Sequence, residues 1–151
     1  MERNKVLRHV TDLNREGALK ILKDRPKNKK FALKVSLYAT HAMDGTYPSY
    51  QPMNASKLEL YQNVTIPTPK TATEQHWKDL PFFFKENNEG RNRWRKRFEP
   101  DYYQESIRDL YRMATEGDTV VGDVIEELKK QGLYGNTVYI STIKKGKLNR
   151  E

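Results

Sequence analysis

Apolar residues recur at three- and four-residue intervals in two stretches of this chain, and each stretch predicts an amphipathic helix. In the first, about Thr11 to Arg25, Leu13, Gly17, Ala18, Ile21 and Leu22 share one face, while Arg15, Glu16, Lys20 and Lys23 fall elsewhere. Thr11 or Asp12 is the expected N-cap and Pro26 the stop. In the second, Glu99 to Gly132, the apolar set is Ile107, Leu110, Tyr111, Ala114, Val121, Val124, Ile125 and Leu128. Pro100 suits a first turn, Glu99 and Asp101 complement the positive helix start, and Lys129, Lys130 and Gly132 suit the end. Gly117 and Gly122 weaken the middle by about 1 kcal/mol each relative to alanine, which allows a bend there.

Two other stretches break the helical period. Phe31 to Tyr38 is apolar except at Lys34 and Ser36, and Thr137 to Ser141 is short and rich in β-branched and aromatic residues. Both predict strands, the first of the kind buried on two faces. Between them, Ala39 to about Pro81 has weak period and five prolines (Pro48, Pro52, Pro67, Pro69 and Pro81), which predicts an unusually long loop. Helix, strand, loop, helix, strand is the order of an α/β fold, a mostly parallel sheet flanked by helices.

Composition changes the picture only in part. At 151 residues there is room for one core, although 36% of residues are hydrophobic, 32% are charged and mean hydropathy is -0.95. Nine Tyr, five Phe and two Trp supply bulk that a disordered segment lacks. No cysteine is present, which excludes disulfides, thiol nucleophiles and thiolate metal sites. A net charge of +8 raises a polyanionic partner. Met1 to Val10 has no apolar run, so no signal peptide is expected, and no stretch approaches the roughly 20 apolar residues of a membrane span. By default this places the chain in the cytoplasm.

Several stretches, in order, resemble one family. Ile107 to Glu116 (IRDLYRMATE), Asp118 to Gly122, and Gly132-Leu133 with Asn136-Thr137-Val138 are similar to the long helix and following strand of sulfatases. Phe31 to His41 (FALKVSLYATH) resembles the strand that delivers an active-site histidine, and Arg91 to Phe98 (RNRWRKRF) an arginine- and tryptophan-rich connection. The likeness covers residues 9–142 and leaves 143–151 as a divergent tail; the whole chain, 1–151, is read as one internal fragment of a catalytic domain. The resemblance implies an alkaline-phosphatase-like sandwich, incomplete here, with a calcium ion and a formylglycine made from Cys or Ser in C/S-x-P-x-R. Its substrates are sulfated esters or sulfated glycans, and its members are often periplasmic or secreted.

His41 is the single catalytic position the resemblance carries over, as the residue touching the sulfate or its leaving oxygen. Imidazole suits that task because it donates to an anionic oxygen and titrates near neutral pH. His9 and His76 lack such context and are expected at the surface. No metal-ligating or cofactor-binding residue is assigned. The formylglycine motif is absent, as is the family's metal-binding Asp pair, and Lys144 stands where a calcium-ligating Asp belongs. A lysine there repels the ion. A fragment from a truncated or frameshifted reading frame, inactive alone, is the expectation.

Two other classes compete. Arg91, Arg93, Trp94, Arg95, Lys96 and Arg97 combine cations with a stacking ring, as single-strand nucleic-acid binders do; the acidic residues nearby and the lack of a binding motif disfavour nucleic acid. A vestigial, non-catalytic chain is the other, self-associating through exposed strand edges.

Overall fold

The computed structural model describes residues 8–43, 45–84 and 87–142. Five α-helices occur among them: α1 (Val10–Asp24), α2 (Asn54–Glu59), α3 (Glu74–Lys78), α4 (Glu89–Arg97) and α5 (Pro100–Lys130), followed by a 3₁₀ turn at Tyr134–Asn136. No residue among those described is in a strand, so the expected α/β sandwich with a parallel sheet is overturned. Phe31 to Tyr38 runs without regular structure and is exposed at Phe31, Val35 and Tyr38. Val138 and Ile140 are 87% and 78% exposed, the reverse of a buried strand. A strand exists only through its ladder, and among the described residues the backbone bonds of both segments are local turn bonds, His41 to Tyr38 and Thr137 to Tyr134, rather than pairing with another extended segment. Without strands, the expected self-association through sheet edges loses its basis.

The 15 residues of α1 start where the His9 imidazole accepts from the Thr11 amide, so the cap is His9 rather than Thr11 or Asp12. The His9 ring also meets the Gln51 carbonyl at 2.9 Å, so this histidine is half-buried and structural instead of a surface residue. His76 is exposed, as expected. Pro100 opens α5, and its 31 residues continue as one helix through Gly117 and Gly122. At 1.5 Å per residue this helix spans roughly 46 Å. It closes on Gly132 at φ 68°: the Gly132 amide donates to Lys129 and the Leu133 amide to Leu128. Those two bonds form a Schellman end, which needs the left-handed conformation glycine adopts freely.

The first helix lies along the C-terminal half of α5 and runs in the same direction. Arg15 pairs with Asp123, and Gln131 donates to the Leu22 carbonyl at 3.1 Å. Ala18, Leu22, Val120 and Leu128 are the buried apolar residues of this half. A second small core, Ala42, Tyr50 and Met113 with Ala39, Phe98 and Leu110 around it, lies on the N-terminal half.

Residues 53–67 form a strap running antiparallel to α5, held mainly by helix side chains bonding to strap backbone. Tyr103 donates to the Pro67 carbonyl, and Gln104 bonds both the amide and the carbonyl of Ile66. Arg108 donates to the Val64 carbonyl, Arg112 to that of Leu60, and Glu116 accepts from the Met53 amide at 2.7 Å. Within the stretch expected to be a loop, 53–67 is thus tied along this helix, and α2 and α3 lie in it. No described helix is long and apolar enough to cross a membrane.

Candidate functional site

His41 sits at the end of a turn in which its amide donates to the Tyr38 carbonyl at 2.9 Å. Its ring lies 5.0 Å from that of Tyr38, and Nδ1 is 2.6 Å from the Ala42 carbonyl. A carbonyl only accepts, so this contact places a proton on Nδ1 and leaves Nε2 outside it. The side chain is exposed while the neighbouring Ala42 is buried against Tyr50 and Met113, so the backbone is anchored and the imidazole faces outward. The chain then folds back: Met43 donates to the Ser49 carbonyl at 2.7 Å, and the Ser49 hydroxyl to the Thr46 carbonyl.

This loop forms one wall of a cleft of ≈ 360 Å³, with Gly45 and Tyr47 opposite Glu89, Asn92, Arg93 and Lys96 of α4. The reason lies in helical spacing: those four residues are three, one and three apart and share a face. Asn88 starts the helix by accepting from the Arg91 amide at 2.9 Å. Glu89 accepts from Arg93 at 2.8 Å, so Lys96 gives the cleft its net positive charge. Trp94 stacks on Phe98 at 4.5 Å, which ties α4 to the core beneath the loop.

The remaining cations of this helix face elsewhere. Arg91 and Arg95 lie 4.0 and 5.3 Å from the Trp77 ring centroid, and Arg91 also donates to the Phe84 and Trp77 carbonyls. Sequence reasoning took Arg91 to Phe98 as a connection and a single basic cluster. It is a helix that divides its cations between fixing α3 and lining the cleft. The Asn88 cap and acidic Glu89 were the signals that could have revealed it.

The calcium of the sulfatase resemblance finds no fit here. Among the described residues no group of three or more His, Cys, Asp and Glu side chains could hold a metal ion. The most buried carboxylate, Asp109, is already taken by Arg112 at 2.6 Å and Lys57 at 3.4 Å. Lys144, the residue at the expected ligand position, lies outside the described residues.

His41 precedes the cleft wall at Gly45 and Tyr47 and does not itself line the cleft. A sequence model of the sulfatase family matches residues 3–142, and the chain belongs to that family. Sulfatases act on sulfate esters and are generally metal-dependent. No curated protein and no solved structure matches the chain.

Proposed function

We propose that the His41 loop and α4 hold the sulfate group of an ester or sulfated glycan, and that these 151 residues do not hydrolyse it unaided. The observation that carries the reading is the cleft itself, in a chain of this family: Tyr47, on the loop that follows His41, lines it opposite Lys96 of α4. With Nδ1 engaged by the Ala42 carbonyl, a protonated Nε2 donates to a sulfate oxygen or to the leaving oxygen. Lys96 supplies a compact positive charge in the cleft. Cleavage needs a nucleophile, and the chain has no cysteine and no serine in an S-x-P-x-R setting.

Two measurements test this. Incubated with 4-nitrophenyl sulfate and calcium, the chain is expected to release no nitrophenol above background; turnover would refute the second half of the proposal. In an NMR titration with the same ester, the His41 ring and Lys96 signals are expected to shift saturably, several-fold more weakly in Lys96→Glu. Absence of any shift at both residues would refute the first half. The polyanion-binding reading is disfavoured because Arg91 and Arg95 are spent on Trp77.

A further inference from the structure

A second chamber, of ≈ 200 Å³, opens between the start of α1, both ends of α2 and the middle of α5. Two of its lining side chains, Thr11 and Glu116, are only 1% and 3% exposed, and each carries an oxygen with no hydrogen-bond partner among the described residues, Thr11 Oγ1 and Glu116 Oε2. The other Glu116 oxygen, Oε1, is used by the Met53 amide. A buried carboxylate left with one neutral donor is costly, and the cost is removed by a cation brought to the open oxygen. The neighbouring Arg15 reaches Asp123 through its Nε instead, and no bond from it to Glu116 is formed among the described residues.

The walls say which cation fits. Thr115 and Thr119 have already donated their hydroxyl protons to the Tyr111 and Thr115 carbonyls, and the rest of the lining includes Met53, Leu60 and Val120. A hard divalent ion wants several carboxylates among six or more oxygens, and although Asp12 and Ser56 also line the chamber, no group of three or more His, Cys, Asp and Glu side chains among the described residues could hold a metal ion. A guanidinium wants both oxygens of a carboxylate, and one is occupied. An ammonium group needs only single acceptors for its three donors. We propose that this chamber binds a small primary ammonium compound, its head on Glu116 Oε2 and Thr11 Oγ1 and its short aliphatic body against Met53, Leu60 and Val120. This site is separate from the His41 cleft and does not depend on the reading of that cleft.

The test uses the whole chain and n-butylammonium chloride, followed through the methyl NMR signals of Thr11, Leu60 and Val120. Saturable shifts at these methyls are expected, with at least tenfold weaker binding for uncharged 1-butanol and for the Glu116→Gln variant. Glu116→Gln keeps an acceptor for the Met53 amide; should it fail to fold, Thr11→Val takes its place with about threefold weaker binding expected from the loss of one acceptor. The proposal fails if the wild-type signals do not saturate, if 1-butanol binds equally well, or if the folded variant binds as tightly as the wild type. Equal displacement by potassium chloride would also overturn it, by making this an inorganic cation site only.

Discussion

Two carboxylates lie buried two turns apart on α5, and their surroundings differ in kind. Asp109, fully buried, is met by Arg112 at 2.6 Å and Lys57 at 3.4 Å, while Arg112 also reaches Glu105 at 3.6 Å and the Leu60 carbonyl. Glu116, 3% exposed, has one backbone amide and no paired cation among the described residues. Burial alone therefore does not tell what a charged side chain is for. A cation-paired carboxylate helps hold the strap to the helix; an unpaired one leaves a chamber with something still to accept.

Arg112→Met is expected to break the comparison most sharply. It strips Asp109 of its nearest cation and removes the bond to the Leu60 carbonyl, so about 3–5 kcal/mol of stability should be lost in a denaturant titration. Lys57→Met should cost only about 0.5–1 kcal/mol, because Lys57 is one-third exposed and its pair with Asp109 is longer. Glu116→Gln should change stability by less than about 1 kcal/mol in either direction, since it removes an uncompensated charge while keeping the amide acceptor. If it destabilises as much as Arg112→Met does, the two carboxylates are equivalent and the distinction falls.

The smallest effect lies between them. Met113, on the turn separating the two carboxylates, packs on Tyr50, whose phenol is held above its ordinary pKa by burial, with nearby Arg97 opposing this more weakly. A raised folded-state value means that this group's contribution is complete below the unfolded value of about 10 and fades as pH rises through the folded one. Thermal melts in alkaline buffer should thus steepen their loss of stability above that point in the wild type and less so in Tyr50→Phe.

The helical period made α1 and α5 legible within a residue or two at each end. It did not show which line of α5 is most buried. That line runs through Ser106, Asp109, Met113, Glu116, Val120 and Leu128, whereas the expected core residues Tyr111 and Ala114 are exposed. The reason is that much of the cover is a strap of backbone, which demands polar partners, so polar residues occupy the contact line. Six-residue α2 and five-residue α3 are too short to show a period, and α4 has no apolar stripe; the signals were the Thr73 cap for α3 and Asn88 with Glu89 for α4, while α2 has no side-chain cap. The Phe31 to Tyr38 and Thr137 to Ser141 patterns failed because composition reports what a segment favours but not whether a partner strand exists. Of the candidate site, His41 was legible only by family resemblance. The cleft wall on α4 and the Glu116 chamber depend on residues far apart in the chain and were not.

The strap along α5 divides tolerance to substitution unequally between its two sides. Most of its rungs join a helix side chain to a strap carbonyl or amide, from Tyr103 and Pro67 at one end to Glu116 and Met53 at the other. Every non-proline residue carries the same two backbone groups, so the helix grips the strap largely without reading its side chains. A pool of variants randomised at Gln62, Asn63 and Thr65 should consequently keep many folded members. One randomised at Gln104, Arg108 and Arg112 should keep few.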